Sequence, residues 1–183
     1  MIDANLRHLR VFLAVAEGGS ITRAAELCHV SQPAVTQAIA KLEAEAGTAL
    51  FTRTTHGLFA TEAGEVLRHR TARALDALDT QLTEFAPRLK LTATRAQLQA
   101  LIAAAEAQNF SLAARRLGVS QPTVHRAITQ LEKEAGRALF QRSPFGIVPT
   151  RGCANLARIA RLAFVELEQA RAELGDLSGR EVG

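Results

Sequence analysis

The sequence contains an internal repeat, which limits how the chain can fold. Residues 30–53 recur as residues 119–142, displaced by 89 positions, and the two stretches are identical at 16 of 24 positions. Such agreement indicates duplication of one structural unit rather than a chance likeness of two helices. With 183 residues in all, each half is long enough to bury a modest core. We therefore predict two tandem domains, residues 1–90 and residues 91–183.

The repeated stretch begins with the signals of a helix. Ser31 suits an N-cap, where its hydroxyl accepts a hydrogen bond from a free backbone N–H group, and Pro33 is tolerated in the first turn. Gly47 fits the left-handed position at which a helix ends. One face carries an apolar stripe formed by Val35, Ile39 and Leu42. These signals predict helices over residues 31–46 and, in the second copy, residues 120–135.

The opposite face of the first of these helices is polar and nearly free of acid. It carries Gln32, Ala34, Thr36, Gln37 and Lys41. Such side chains suit hydrogen bonds to the base edges and phosphates of a nucleic acid. An isolated face of this kind would more often be a solvated helix surface, but its place in a repeated helix pair favours contact with DNA.

A helix-turn-helix is predicted around this face. Apolar residues recur at helical spacing over residues 5–17, and Gly18 stops this first helix. A short second helix follows, for which Thr22 and, in the second copy, Ser111 are predicted as N-caps. A short helix, a tight turn and a longer helix are the order of a helix-turn-helix.

Beyond the third helix, the pattern changes to a hairpin and a long helix. Two short β-capable runs flank residues 54–57 and predict a small wing. Thr61 is predicted to cap a long linker helix, which ends at Pro87 and whose apolar seam requires a partner helix. After Gly175 no core pattern remains, and this tail is predicted to fray. The predicted fold is mainly α: two tandem winged helix-turn-helix domains, each with a small β-hairpin wing and a long linker helix.

The charge is distributed unequally between the two copies. The net charge of +4 hints at a polyanionic partner, although the excess is small. Residues 1–90 hold ten Lys and Arg against ten Asp and Glu, whereas residues 91–183 hold twelve against eight. All of the excess positive charge therefore lies in the second copy.

The sequence predicts no cofactor, no metal site and no enzymatic activity. Cys28 and Cys153 do not correspond between the copies, and no cluster of metal ligands accompanies them. No serine–histidine–acid set and no glycine-rich phosphate loop stands outside the predicted helices. The absence of Trp and Tyr leaves few stacking platforms for single strands, which favours duplex DNA. With neither a bilayer-spanning run nor a secretory pattern, the sequence predicts a cytoplasmic protein without membrane contact.

A set of residues, most of them common to both copies, gives the copies a family likeness. In the first copy the set is Ala24-Ala25, Val30 to Val35, Ile39, Leu42-Glu43, Gly47, Leu50-Phe51, Arg53 and Thr61 to Gly64. With these residues, nearly the whole chain resembles the winged helix-turn-helix domain and linker helix of LysR-type transcriptional regulators, present twice. The second copy departs from the family at residues 150–153, where Thr-Arg-Gly-Cys replaces Thr-x-Ala-Gly.

The resemblance implies that double-stranded DNA is the partner, because the family's third helix enters the major groove and its wing meets the backbone. The implied contact residues are Ser31, Gln32, Pro33, Ala34, Thr36, Gln37, Lys41 and Arg53 in the first copy, and Ser120, Gln121, Pro122, Thr123, His125, Arg126, Gln130 and Arg142 in the second. Arg126 can bond guanine in a bidentate manner, whereas Gln37 stands where the family more often has an arginine. We therefore expect the second copy to dominate binding.

The linker helices are expected to pair, because LysR-type regulators pair them antiparallel across a dimer. Here the pairing would occur within one chain, as a pseudo-dimer, or between two chains. The expected interface residues are Leu67, Leu78 and Phe85 on the first helix and Leu156, Leu167 and Leu174 on the second. A linker helix of about 25 residues is about 37 Å long, similar to the roughly 34 to 36 Å between half-sites one DNA turn apart.

Two alternatives remain open from the sequence. LysR-type regulators usually carry a larger sensing domain, and residues 177–183 look like the stretch that leads into it. The chain is then either part of a longer regulator or a regulator that has lost its sensor. In function, the rival to a DNA-binding regulator is an interaction protein that captures the linker helices of other LysR-type regulators and antagonises them.

Overall fold

The computed structural model describes residues 5–181, apart from the side chains of residues 180 and 181. The first half contains α1 (Leu6–Gly18), α2 (Ile21–Cys28), α3 (Gln32–Ala46), β1 (Phe51–Thr54), β2 (Gly57–Ala60) and α4 (Glu62–Phe85). The second half contains α5 (Leu89–Thr92), α6 (Arg95–Ala107), α7 (Phe110–Leu117), α8 (Gln121–Ala135), β3 (Phe140–Ser143), β4 (Gly146–Pro149) and α9 (Arg151–Glu181). The predicted fold class is confirmed: the described chain is mainly α, with two antiparallel hairpins. The short helix α5 was not expected from the sequence pattern.

The described residues form two compact units. Unit 1 contains the residues up to Leu75 together with those from Phe164 onward, and unit 2 contains Asp76–Ala163. Each unit thus holds one winged helix-turn-helix and a part of each long helix. The division at residue 90 follows the sequence repeat rather than these units, and it stays a prediction.

The core of unit 1 lies among α1, α2 and α3. It is built from Val11, Val15, Ala24, Ala25, Val35, Ala38 and Ile39. The small alanines allow the helices to approach closely. Phe12 connects this core to the wing, because its ring centroid lies 5.4 Å from that of Phe51 on β1. In unit 2 the helices α6, α7 and α8 bury the corresponding positions, among them Leu101, Ala113 and Ile128.

The third helix of each copy begins and ends as predicted, but the cap of the second helix does not. Ser20 caps α2, because Gly19 takes a left-handed conformation directly before it and α2 therefore begins at Ile21. The prediction of Thr22 was wrong, since this residue lies inside the first turn. In the second copy Asn109, not Ser111, is the cap, and its side-chain oxygen accepts from the Leu112 amide at 2.8 Å.

Each wing is fixed to the end of its first helix by one backbone hydrogen bond. The Leu58 amide donates to the Gly19 carbonyl at 3.2 Å, and in the second copy the Ile147 amide donates to the Gln108 carbonyl at 3.2 Å. The approach is so close that a Cβ on Gly146, whose φ is +138°, would lie 2.5 Å from the Gln108 oxygen. The wing position is therefore set by the helix-turn-helix itself.

The linker helices begin as predicted, and the second extends further than predicted. Thr61 caps α4, since its Oγ1 accepts from the Gly64 amide at 3.1 Å. Helix α9 continues to Glu181, so the predicted fraying after Gly175 is wrong for the described residues, and residues 182–183 lie outside them. The helix continues because buried Leu174 is followed three residues later by half-buried Leu177 on the same face.

Candidate nucleic-acid interface

Helix α3 presents its predicted contact residues to solvent. Ser31, Gln32, Pro33, Thr36, Gln37 and Lys41 are exposed, and Ala34 is half-buried. The Ser31 hydroxyl accepts from the Ala34 amide at 3.2 Å and so acts as the N-cap. The Thr36 hydroxyl donates to the Gln32 carbonyl at 3.2 Å. The side-chain amides of Gln32 and Gln37 thus stand on an exposed face at the start of the helix, where a helix can enter a groove.

Helix α8 also carries a connected polar surface on its predicted recognition face. Its predicted residues Ser120, Gln121, Pro122, Thr123, His125, Arg126 and Gln130 are all exposed. The hydroxyls of Ser120 and Thr123 lie 2.7 Å apart, and Arg126 Nη2 donates to Thr123 Oγ1 at 3.4 Å. This contact draws the guanidinium toward the first turn of the helix. Gln121 Oε1 accepts from the Ser111 hydroxyl at 2.9 Å, which holds the amide against α7.

An acid lies beside the last predicted contact residue of α8. Gln130 Nε2 donates to Glu134 Oε1 at 3.2 Å, and Arg88 Nε donates to the other oxygen of this carboxylate at 2.6 Å. Arg88 therefore offsets the negative charge of Glu134, which would otherwise face a polyanion near Gln130.

His125 belongs to a row of aromatic rings that joins α8 to the wing. Its ring centroid lies 5.7 Å from that of Phe110, at an interplanar angle of 80°. Phe110 in turn contacts Phe140 of β3, with centroids 6.1 Å apart. The edge-to-face geometry is a favourable one for aromatic pairs, so the imidazole is positioned by packing while it stays exposed.

The corresponding place in the first copy is a cavity of about 230 Å³. It is lined by Ile21, Thr36, Ile39, Ala40, Glu43, Phe51, Arg53 and Leu58. Phe110 and His125 occupy the repeat positions of Ile21 and Thr36, and in unit 2 their rings contact each other edge to face. The two copies therefore differ in packing between the recognition helix and the wing.

The wing arginines occupy equivalent positions in the two hairpins. Arg53 lies opposite Leu58 in the β1–β2 pair, and Arg142 lies opposite Ile147 in the β3–β4 pair. Both arginines are exposed, whereas their cross-strand partners are half-buried or buried. Each guanidinium is thus carried on a wing whose other face is fixed to the domain.

Two exposed arginines that were not predicted from the sequence lie beside the candidate interface in unit 2. Arg115 and Arg116 are exposed at the end of α7, where the first copy has Glu26 and Leu27. The unequal charge of the two copies was the sequence signal that could have found these arginines.

Glu43 has a structural role rather than a DNA-contact role: its Oε2 accepts from the Leu50 amide at 2.7 Å and fixes the start of the wing. The second copy repeats this contact from Glu132 to the Leu139 amide at 2.8 Å.

Three titratable groups near the recognition helices depart from their ordinary pKa. Burial, followed by the charge of Lys41, lowers the pKa of His8 on α1. Burial raises the pKa of the Cys28 thiol, and Arg10 opposes that shift. Burial, with a smaller effect of Glu132, raises the pKa of Cys153 to about 12. Both cysteines are free thiols, and neither lies on an exposed recognition face.

The residues predicted to pair the linker helices are all buried. Leu67, Leu78, Phe85, Leu156, Leu167 and Leu174 are each at most 5% exposed. Leu67 shares unit 1 with the last two residues of this set, and Leu78 and Phe85 share unit 2 with Leu156. In unit 2 the guanidinium of Arg137 lies 4.2 Å from the centre of the Phe85 ring and donates to the Phe85 carbonyl at 3.1 Å.

Within unit 1, side-chain contacts join α4 to α9 directly. Arg70 Nε donates to Glu173 Oε1 at 2.8 Å, and its Nη2 contacts the same oxygen. Arg70 Nη1 donates to Gln169 Oε1 at 2.9 Å and lies 3.3 Å from Glu166 Oε1. Arg73 Nε lies 3.2 Å from that same Glu166 oxygen. The hydrogen bond with Glu173 is the main cause that raises the pKa of Arg70 above its ordinary value.

Neither a metal cluster nor a membrane span is found in the described part of the chain. Over residues 5–181, His, Cys, Asp and Glu do not form any group of three or more that could hold a metal ion. Among the helices described, none has the length and apolar character needed to cross a membrane.

Comparison with known proteins assigns the family. The family model described as "Bacterial regulatory helix-turn-helix protein, lysR family" matches this chain twice, over residues 6–65 and 95–153. Each match covers a helix-turn-helix, its wing and the start of a linker helix. The chain belongs to the lysR family of bacterial regulatory helix-turn-helix proteins.

Individual proteins are similar to this chain over different shares of its length. The HTH-type transcriptional regulator GalR of Pseudomonas putida is 36% identical over 187 residues, which cover 98% of this chain and 47% of GalR. The chain therefore spans about half the length of that relative. The HTH-type transcriptional regulator AbaB of Streptomyces antibioticus is 49% identical over 74 residues, covering 40% of this chain and 25% of AbaB. Among solved structures, the CbnR_DBD–DNA complex is 39% identical, with a TM-score of 0.37, and covers 39% of this chain and 82% of CbnR_DBD.

Proposed function

We propose that this chain is a sequence-specific, double-stranded-DNA-binding regulator of transcription that reads two half-sites through α3 and α8. One observation carries the proposal: the chain holds two helix-turn-helix units whose third helices each expose a polar face beside an arginine-bearing wing. The GalR relative, which matches almost the whole chain, is named a transcriptional regulator.

The start of each recognition helix is suited to base contact. Gln32 and Gln37 on α3 can each pair with adenine, and Arg126 on α8 can pair with guanine. The serine caps satisfy the first turns, so that the N-terminal ends keep a fixed conformation while their side chains stay exposed. Arg53 and Arg142 would contact phosphates or the minor groove from the wings.

The second copy would dominate the binding. On α7 and α8 the exposed cations are Arg115, Arg116, Arg126 and Lys133, whereas on α2 and α3 they are Arg23 and Lys41, accompanied by exposed Glu26. Because phosphate neutralisation supplies most of the non-specific affinity for DNA, the copy with more cations should bind more tightly. The preferred operator is then asymmetric rather than palindromic.

The two linker helices would pair within one chain, as an intrachain pseudo-dimer. The burial of all six predicted seam residues in a single chain supports this arrangement. The contacts of Arg70 and Arg73 with Glu166 and Glu173 add support within unit 1. A homodimer through the same helices is the competing arrangement.

Capture of a foreign linker helix has no observation in its favour. A helix of another regulator would have to displace the seam contacts that this chain already makes, because the six seam residues have almost no accessible surface. The DNA-binding function therefore stands as the single proposal.

The test is selection of bound sites from a random duplex pool at near-physiological salt, with the solution mass of the protein measured alongside. An asymmetric two-part site bound by a monomer is expected. A palindrome bound by a dimer would overturn the intrachain pairing but keep the regulator, and no enriched sequence at all would overturn the proposal of sequence-specific binding.

The salt dependence of affinity for the selected duplex supplies a second readout. Replacing both Arg115 and Arg116 with Ala should reduce the slope of log K against log salt by about 2, since each phosphate contact contributes about 0.9. Arg171→Ala is the matched control, because this arginine pairs with Glu168 on α9 and belongs to neither helix-turn-helix. An equal change in slope for the control would remove the special role given to Arg115 and Arg116.

A further inference from the structure

The polar cluster that joins α4 to α9 in unit 1 does not follow the internal repeat. It consists of Arg70 and Arg73 on α4 and of Glu166, Gln169 and Glu173 on α9. The repeat displacement of 89 residues assigns each of them a counterpart: Ile159, Leu162, Ala77, Thr80 and Glu84, in the same order. Only Glu173 has a counterpart that carries a charge. Helices α4 and α9 thus have similar apolar seams, but the positions that flank the seams carry different residues.

Glu166 is the member of the cluster that most depends on its partners. Its side chain is only 16% exposed, and its Oε1 lies 3.2 to 3.3 Å from both guanidinium groups. Among the described residues this oxygen has no assigned hydrogen-bond partner, so both contacts are ion pairs. The carboxylate is therefore stabilised by the two positive charges themselves. Removing the cations from such a partly desolvated anion is strongly unfavourable, whereas an exposed pair would matter little.

We propose that this cluster is a pairing determinant: it makes the N-terminal half of α4 pair with a helix that carries carboxylates at the positions of Glu166 and Glu173. The partner that fits is α9, and not a second copy of α4. The inference rests on the proposed pairing of linker helices, and it adds the chemistry that selects the partner.

Both like-with-like pairings would lose contacts. In an α9–α9 pair, Ile159 and Leu162 would stand where Arg70 and Arg73 stand, so Glu166 would be left against apolar side chains without a cation. In an α4–α4 pair, Ala77 would replace Glu166, and among the counterparts of the cluster residues Arg70 would keep only Glu84 as an acidic partner. Selectivity is a difference between such pairings, and here the unpaired carboxylate supplies the larger penalty.

The test uses carbodiimide coupling, which joins a lysine amine to a nearby carboxylate with loss of water. The chain has three lysines, Lys41, Lys90 and Lys133, and none of them lies on α4 or α9, so background coupling at the seam is low. The variant is the full chain with Arg70→Lys and Arg73→Lys, which keeps both positive charges. Equal amounts of unlabelled and nitrogen-15-labelled chains are unfolded and refolded together before coupling, and the linked peptides are identified by mass.

We expect position 70 to couple to Glu166 or Glu173, with both peptides carrying the same isotope. The matched control is Arg68→Lys, whose native partner is Glu65 on the same helix, at 3.0 Å. That lysine should couple to Glu65 and not to α9. The unsubstituted protein should show no coupled peptide between α4 and α9.

The other outcomes separate this inference from the proposed function. Mixed-isotope coupling between positions 70 and 84 would show α4 paired with α4, and it would overturn the pairing determinant. Mixed-isotope coupling between positions 70 and 173 would uphold the selection of α9 but overturn the intrachain pseudo-dimer. Failure of positions 70 and 73 to couple at all, while position 68 couples to Glu65, would also overturn the inference.

Discussion

Helices α3 and α8 are the two copies of the predicted recognition helix. Their buried faces are alike, and their exposed faces differ. Both have 15 residues, a serine cap, a proline in the first turn and a left-handed glycine at the end. Their buried stripes are also identical, with Val35, Ile39 and Leu42 matched by the same residue types in the second copy. The solvent side differs, as Gln37 and Arg126 show. The buried stripe of the recognition helix is therefore the same in both copies, while several of its predicted DNA-contact positions differ.

The largest expected effect tests this divergence. Arg126→Ala should weaken binding to the selected duplex by about tenfold or more, because a bidentate contact with guanine is worth about 1–3 kcal/mol. Gln37→Ala, at the repeat-equivalent position of α3, should cost less. The measurement is a binding titration of both variants at one fixed salt concentration.

Two further variants test whether the second copy contributes more to DNA binding than the first. Gln130→Ala lies on α8 one turn beyond Arg126 and should also cost more than Gln37→Ala. Gln37→Arg, which gives α3 the residue of α8, should tighten binding. Equal losses for Arg126→Ala and Gln37→Ala would contradict the ranking of the two copies.

The second expected effect concerns the first turn of the linker helix, where Gly64 of the first copy corresponds to Cys153 of the second. A Cβ on Gly64 would lie 2.1 Å from the Leu50 carbonyl oxygen, which is backbone and cannot turn away. Cys153, at the equivalent position, is fully buried with its side chain accommodated. Gly64→Ala should therefore lower the free energy of unfolding by about 1–3 kcal/mol through overpacking, which thermal unfolding would report as a fall in Tm of several degrees.

Cys153→Ala is the matched control for that change. It leaves the same alanine in the second copy but removes only one sulfur atom, so its effect on Tm should be smaller. If Gly64→Ala left Tm unchanged, the first linker helix would not approach the wing as closely as the structure has it.

The sequence predicted those parts of the fold that depend on local signals. The caps at Ser31 and Ser120, the left-handed Gly47 and the apolar stripes each act within a few residues, and the structure confirms them. The caps at Ser20 and Asn109 were missed because their position depends on how abruptly the preceding helix ends.

Contacts between residues far apart in the sequence could not be predicted from the hydrophobic pattern. A heptad seam indicates that Leu67 and Leu174 are buried, but it does not indicate that Arg70 meets Glu166 and Glu173. That pairing depends on the register of two helices about one hundred residues apart in sequence. The predicted DNA-contact residues stay predictions, since the sequence and the fold establish their exposure and not their contacts.

The smallest expected effect is a difference in reactivity between the thiols of Cys28 and Cys153. Cys153 is buried and its pKa is raised to about 12, so at pH 8 almost none of it is the reactive thiolate. Half-buried Cys28 should react first with a disulfide reagent, and Cys28→Ser should remove that fast phase while leaving the slow one. The folded state favours the protonated Cys153 thiol, so stability should fall as pH rises from the ordinary thiol value of 9.0 through about 12. A single fast phase of two thiols in the folded protein would mean that the start of α9 opens readily, and the two copies would then differ in mobility as well as in surface.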